Sequence, residues 1–423
     1  MKVLLKKARI VSKGSNFDGK TMDILVQNGS IAEIAEKIQS VAEVEISSPD
    51  LHVSIGWFDM AARFFDPGLE HKEDLASGLK AAASGGFTEV ACLPNTKPVV
   101  QTKDNVQYLL SKSAGNAVQL HVIAAASENL EGKSMTEIFD LYKAGAVAFS
   151  DADHPLANAG LLVRLVQYLA QLDALLMVHA EEPTLNLHGV MHEGTTSVYL
   201  GQKGMPSIAE YLAVSRDLAL LKYAGGKLHF GKISTAESVD LIRQAKAEGM
   251  KITCDVAVPN LVFDDSALTS FDTNYKTNPP LRTKKDQEAL WKGIADGTID
   301  AIVTDHHPHD EESKKLEFDQ ADFGMTQLET AFALLNQHYA VYVPLSQLVE
   351  KLTLGPRHVL NKAIPQIATG EKANLTVFDP SLEWVFEEKT MQTKSKNSPV
   401  LGNKLKGKAL AIFHKGQFVD LRN

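Results

Sequence analysis

The sequence predicts an α/β fold: a TIM (β/α)8 barrel with a small β domain built from both chain termini. Three observations carry this expectation. From about residue 53 to 305, short apolar runs rich in β-branched residues alternate with longer segments of helical period, the pattern of parallel βα units. Eight such runs occur, which suits a closed barrel better than an open sheet. The two ends differ in character, with period-two patterning and turn residues between short strand-like runs.

In chain order, the first end supplies KVLLKKARIVS, MDILVQNGS and IAEIAE within residues 2–36. The barrel runs are VSIGWFD (53–59), EVACLP (89–94), LHVIAAA (120–126), AVAFSD (146–151), ALLMVHA (174–180), KLHFGKIS (227–234), KITCDVA (251–257) and DAIVTD (300–305). The intervening helices carry punctuation. Residues 134–137 (SMTE), 207–210 (SIAE) and 234–237 (STAE) have the capping-box form, and Gly85-Gly86 and Gly225-Gly226 can end helices. Two more helical segments are expected near 326–338 and 345–354. The tail gives ANLTVFDP, LEWVFEE and ALAIFHKGQFVD, and GNKLKGK near 402–408 reads as a solvated turn. Neither end is expected to be stable alone. Residues 1–52 and 364–423 should therefore pair as one small β domain beside a barrel over 53–363.

A composition of 44 % hydrophobic and 22 % charged residues in 423 is that of a globular protein with a large core. The formal charge is −9 and the lysines and arginines are scattered, which leaves no electrostatic footprint for nucleic acid or an acidic membrane. Neither partner is expected. Cys92 and Cys254 lie far apart in apolar runs, so buried reduced thiols are expected rather than a disulfide or a cysteine zinc site. The first residues, MKVLLKKARIVSKG, hold too short an apolar run for a signal peptide, and no run of 18 apolar residues occurs. A cytoplasmic location follows as the expectation.

In such barrels chemistry sits at the C-terminal ends of the strands. Reading those ends gives Asp59, Asn95, Asp151, His179, Lys232 and Asp305, with His309 beyond. Singly, each has a plain structural reading: a strand-end Asp caps a helix, Asn95 in LPNTKP suits a turn, and His179 suits a satisfied core. Their convergence on one mouth points to a pocket. The most specific segment is TDHHPHD (304–310), where an Asp leaving a strand into a His-rich loop could bind a divalent metal and accept a proton from metal-bound water. His306 and His307 read as exposed loop residues. No phosphate loop, dinucleotide fingerprint or Ser-His-Asp triad stands out.

These residues resemble the dihydroorotases of the amidohydrolase superfamily, especially the long form that associates with aspartate carbamoyltransferase. The resemblance runs nearly end to end. It is carried by residues 66–98, AGAVAFSD (144–151), MVHAEE (177–182), HEGTTS and MPSIAEYLAVSRD within 192–217, TNPPLR (277–282), DGTIDAIVTDHHPH (296–309), FGMTQLETA (323–331) and the tail from 370 to 380. It implies a barrel holding zinc, usually two ions, whose bound hydroxide opens the cyclic amide of dihydroorotate to carbamoyl aspartate. The metal lowers the pKa of its water to about 7 and polarises the carbonyl.

Three departures from the family pattern concern that metal. After the first barrel strand the family has Asp-x-His-x-His-x-Arg; here the register reads Asp59, Met60, Ala61, Ala62, Arg63, Phe64, Phe65. Ala61 and Arg63 replace two ligands, and Phe65 replaces the arginine that grips the substrate carboxylate. In HFGKIST (229–235), Lys232 replaces a ligand histidine, while His229 matches a non-ligand position. In CDVAVPN (254–260), Pro259 and Asn260 replace paired histidines. By resemblance His179, Asp305 and Asp151 match ligands, Asp305 also matches the acid/base, and Asn95 and His309 match substrate contacts. The register at Asp151 can slip, because Ala152 stands where many relatives have a second Asp.

An arginine or lysine cannot coordinate a metal and repels it. The expectation is therefore internal salt bridges in place of zinc, with Arg63 and Lys232 between Asp305 and Asp151, and no cofactor. The function this implies is a dihydroorotase-family protein of pyrimidine biosynthesis, catalytically silent or impaired, serving as a non-catalytic partner of aspartate carbamoyltransferase and forming a homo-oligomer. The competing reading is a working dihydroorotase or other cyclic amidohydrolase with one zinc at Asp151, His179 and Asp305, or a metal-free reaction using Lys232. For Lys232 alone, the plain alternative is a side chain that snorkels to solvent.

Overall fold

A computed structural model describes residues 1–422. The chain begins with β1 (Lys2–Ile10), β2 (Thr21–Gln27), β3 (Ser30–Ala35), β4 (Val44–Ile46) and β5 (His52–Ile55). The barrel strands follow as β6 (Trp57–Ala62), β7 (Phe87–Cys92), β8 (Gln119–Ala124), β9 (Ala146–Ser150) and β10 (Leu176–His179). A two-strand excursion, β11 (Met191–His192) and β12 (Gly204–Met205), precedes β13 (Leu228–Gly231), β14 (Ile252–Ala257) and β15 (Ala301–Val303). The tail returns as β16 (Leu375–Val385), β17 (Lys404–His414) and β18 (Gln417–Asp420).

Strands β6 to β10 and β13 to β15 form one parallel sheet in chain order. It curls until β15 meets β6, where Asp59 accepts from Thr304 N and Oγ1, both at 2.7 Å, and Arg63 N donates to His306 O at 3.0 Å. Apolar residues fill the interior, among them Phe58, Met60, Ala61, Ala91, Ile123, Ala148, Met177, Ala257 and Val303. The ring is a packed core with chemistry left only for its mouth.

The two chain ends meet as expected, in the order β18-β17-β16-β5-β1-β2-β3, with β4 against β1. Their common core includes Val3, Leu5, Ile24, Val53, Ile55, Leu375, Val377 and Ala411. One boundary moves. The run read as a single barrel strand from 53 is two strands, because β5 pairs with β1 and β16 and only β6 enters the barrel. Gly56 marks the switch, and a Cβ there would come within 2.0 Å of Thr88 Oγ1 and 2.1 Å of Asn374 Oδ1. Arg357, fully buried in the helix Leu345–Val359, ties the seam by donating to Gly56 O at 2.8 Å and pairing with Glu89.

The helix punctuation was read partly out of place. Gly85 and Gly225 cap helices as expected. Residues 134–137 start no capped helix, since the helix Ile138–Ala144 follows Glu137 without a side-chain cap bond. Ser207 is the first helical residue after Pro206, and the cap near 234 is Thr235, one residue on. Real capping boxes occur at Asp74, Thr102 and Thr283, where the third residue is Ser, Asn or Asp rather than Glu. Among the described residues no helix is long and apolar enough to cross a membrane.

Candidate functional site: a charge-filled barrel mouth

Four charged side chains occupy the mouth. Arg63 follows directly on β6 and is 0 % exposed. Its Nη1 donates to Asp305 Oδ1 at 2.7 Å and its Nη2 to both Asp153 oxygens at 2.6 and 2.7 Å. Lys232, one residue past β13, is 6 % exposed. Its Nζ reaches Asp153 Oδ1 at 2.6 Å, Asp305 Oδ1 at 3.1 Å and the carbonyl of Asn278 at 2.9 Å. Lys232 does not snorkel. Two cations and two carboxylates close into a neutral network in a place where an unpaired charge would cost several kcal/mol, about 3–5 on removal of one partner.

Electrostatics follow from this packing. Burial alone would raise the Asp153 carboxyl, but Arg63 and Lys232 overcome it and hold that group well below the usual carboxylate range. Burial opposes the Arg63 cation, and Asp153 and Asp305 more than compensate, so it stays charged. Just below, Asp59 lies inside β6, wholly buried, and not at a strand end as the sequence reading placed it. Burial pushes its carboxyl up to about 7 despite two bonds from Thr304.

The expected partner Asp151 is corrected to Asp153. Asp151 accepts from the backbone N–H groups of Ala126 and Ser127 at 3.0 and 2.8 Å and from the Ser127 hydroxyl, which commits its carboxylate to the loop after β8. Ala152 then adopts φ 54°, turning the chain so that Asp153 faces the cations. Phe65, Lys232 and Asp305 also have positive φ, at 55°, 56° and 52°. Non-glycine residues seldom adopt this conformation, and such strain collects at functional sites.

The other predicted residues fall around the network. His179 is 7 % exposed; its Nε2 lies 3.3 Å from Glu181, and its Nδ1 is buried without a partner. Ala61 packs in the barrel interior. Phe65 is 5 % exposed and lies against His307 and His309, ring centres 5.5 and 6.2 Å away. His309 sits in the same stack, with Nε2 2.9 Å from Phe323 O and Nδ1 3.0 Å from Lys72 Nζ. Burial lowers the pKa of His309, and of His307 still further with the Arg63 cation adding to it, so both rings are neutral near pH 7. Asn95 is half-buried nearby in sequence to β7, with no side-chain hydrogen bond to the network.

His306 and His307 were expected on an exposed loop, and neither is. His306 is 0 % exposed and accepts from Gln327 N at 3.1 Å, while His307 is half-buried in the aromatic stack. The reason lies in the tail. Asn397 bonds His307 O, Gly324 O and His309 N, so the segment after β16 straps the loop down. His229 faces the interior, between Asp255 and Thr253 at 2.9 and 2.8 Å, and Asn260 donates to Pro280 O. Asp153, Asn278 and Asn397 were missed by sequence reading; only Asp153 had a signal, as the next carboxylate in SDAD.

Among the described residues no three His, Cys, Asp or Glu side chains come together as ligands for a metal ion. Asp153 and Asp305 each already contact both cations. The geometry can hold charge in place. It offers no open carboxylate pair.

Comparisons with known proteins agree with the fold and fix the family. The chain is similar to the L-hydantoinase (dihydropyrimidinase) of Arthrobacter aurescens, with a TM-score of 0.84 over 99 % of this chain and 96 % of that one at 24 % identity. A dihydropyrimidinase from Brevibacillus agri gives 0.81 over 99 % and 95 % at 21 % identity. These likenesses show the barrel-and-sheet architecture. A family model described as dihydro-orotase-like matches residues 52–238. Dihydroorotases of Syntrophus aciditrophicus and Geotalea daltonii are each 40 % identical to it, covering 99 % of both chains in the first case and 100 % in the second. On that end-to-end similarity, this chain belongs to the dihydroorotase family.

Proposed function

We propose that this member of the dihydroorotase family is catalytically silent, or nearly so, and serves pyrimidine biosynthesis in the cytoplasm as a non-catalytic partner of aspartate carbamoyltransferase, itself as a homo-oligomer. The observation that carries the reading is the Arg63–Asp153–Lys232–Asp305 network. Zinc chemistry requires about three protein ligands and an open position for water. A cation placed there would meet two resident cations and two carboxylates already engaged, so the residues present do not fit a zinc ion. Phe65 further removes the charge-assisted grip on a substrate carboxylate. Asp305, the residual acid/base position, is already bonded to Arg63 and Lys232.

One observation favours the competing reading of a single-metal cyclic amidohydrolase: His179 Nδ1 is buried and unpartnered. Asp151 cannot join it, being held by Ala126 and Ser127, which leaves that reading short of a ligand. The discriminating assay is dihydroorotate hydrolysis by the purified protein beside a family enzyme. Turnover at a family-like rate would remove the silent reading. The partner role is tested by co-expression with aspartate carbamoyltransferase of the same organism; absence of a stable complex, with no change in that enzyme's assembly, would count against it.

A further inference from the structure

A cleft of about 640 Å³ lies away from the mouth, where the terminal sheet meets the barrel's outer helices. That volume suits a small organic ligand, since such sites run from about 300 to 1,000 Å³. One wall is the start of the helix Leu345–Val359. Its cap residue is Pro344, which makes no side-chain cap bond, and the first backbone hydrogen bonds to Pro344 O come from Gln347 and Leu348. Leu345 and Ser346 line the cleft, and their N–H groups have no hydrogen-bond partner among the described residues, at the positive end of a 15-residue helix. Arg9 and Lys406 line the same space, and neither has a carboxylate within salt-bridge distance among the described residues.

A second, independent feature points to a ligand. His52 lines the cleft and is 4 % exposed. Its Nδ1 donates to Asp50 O at 2.8 Å, and its ring stacks on Phe378. Nε2, on the far side of the ring, has no protein hydrogen-bond partner among the described residues and keeps some accessible surface, in a residue that lines the cleft. Asp18 and Asp50 line the same space, on the sheet side that also carries Arg9 and His52, which pair across β1 and β5. Asp18 Oδ1 takes Ser12 N at 2.8 Å, leaving its other oxygen to accept, and Asp50 is half exposed at the rim. A bare anion would find those carboxylates unfavourable. A molecule with an anionic end for the helix start and the Arg9 cation, and hydroxyl donors for Asp18, Asp50 and His52 Nε2, would satisfy both kinds of group.

We propose that this cleft binds a phosphorylated sugar, free or as part of a nucleotide, with the phosphoryl group at the Leu345–Ser346 amides and Arg9 and the hydroxyls toward Asp18 and His52. Charge-assisted bonds from backbone N–H groups and a guanidinium are the usual means of holding phosphate at a helix start. The site shares no residue with the mouth network, so it stands or falls independently of the metal question.

The test is titration calorimetry of the full chain with ribose 5-phosphate, a nucleoside 5′-monophosphate, ribose and inorganic phosphate, together with the NMR shift of the His52 ring. The expected result is that at least one of the two phosphorylated sugars binds about tenfold or more tightly than ribose or phosphate and moves the His52 signals. The two sugar phosphates separate a free sugar phosphate from a nucleotide. Ser346→Asp, at an exposed position, places a carboxylate at the phosphate end and should weaken binding about tenfold or more, as should Arg9→Gln, with the melting temperature unchanged. Failure of both sugar phosphates to bind, binding no tighter than phosphate alone, or binding indifferent to both substitutions would overturn the proposal.

Discussion

Replacing Arg63 with Met keeps most of the buried volume and removes one cation from a network of two cations and two carboxylates. Lys232 would then face both Asp153 and Asp305, at 2.6 and 3.1 Å, with one charge to share. Breaking a buried pair in this way costs about 3–5 kcal/mol. A chain of 423 residues has an unfolding entropy of roughly 0.9 kcal/mol per kelvin at about 2.1 cal/mol/K per residue, so the melting temperature should fall by about 3–6 °C. The double variant Arg63→Met with Asp153→Asn restores balance, one cation against one carboxylate, and should melt above Arg63→Met alone. Both would be measured by calorimetry at pH 7 and pH 5. Asp153 is held below its ordinary range, so its stabilising effect is complete above the unfolded value near 3.9 and fades only as pH drops through the still lower folded value. In Arg63→Met burial raises the carboxyl that Arg63 no longer holds down, so the penalty should be smaller at pH 5 than at pH 7. A drop under about 1 °C, or a double variant less stable than Arg63→Met, would show that the four groups do not act as one network.

Other outcomes follow from the same geometry. Asp59, pushed up to about 7, binds its proton more tightly folded than unfolded, so its contribution is complete below the unfolded value and is lost as pH rises from about 4 to 7. Asp59→Asn should flatten the decline of stability over that window by up to about 1.4 kcal/mol per pH unit; Glu329 and Asp217, also raised, will leave a residual slope, and an unchanged slope would contradict the Asp59 reading. Asp151→Asn should cost about 1–3 kcal/mol through the Ala126–Ser127 loop while leaving the Arg63–Asp153 coupling intact, as read by the same double-variant cycle. Phe65→Arg alone should lower the melting temperature, because the new cation would sit buried beside Lys72, whose Nζ is 5.7 Å from the Phe65 ring centre; a stabilised variant would speak against that crowding.

Much of the fold was legible because it rests on period and alternation, which survive in single sequences. Seven of the eight barrel runs, the pairing of both ends and the glycine stops at Gly85 and Gly225 fall where the pattern put them. The split at Gly56 was not legible, since HVSI and WFDMAA are equally apolar and only partner strands distinguish them. At the site, Lys232 and Asp305 were legible as strand ends, and Arg63 as their neighbour followed from the resemblance, whose ligand register it occupies. Which aspartate completes the ring did not, because it depends on the left-handed turn at Ala152 and on backbone N–H groups from another loop. The burial of His306 was hidden for a similar reason, as its cover comes from loop residues near 327 and from a tail strap some 90 residues away.

The positive φ angles at Phe65, Ala152, Lys232 and Asp305 are informative beside those side chains. Each costs of order 1–3 kcal/mol and persists only where its surroundings impose it. The mouth thus keeps a strained backbone while its side chains hold one another.

Metal content is the most direct measurement. The protein would be produced in zinc-supplemented medium, purified without chelator and analysed by elemental mass spectrometry, alongside a variant carrying Ala61→His, Arg63→His, Phe65→Arg and Lys232→His. With Arg63 and Lys232 filling the mouth, the native chain should carry far less than one zinc per chain, and the variant should gain metal. Stoichiometric zinc in the native protein would contradict the ion-pair network as the occupant of the site.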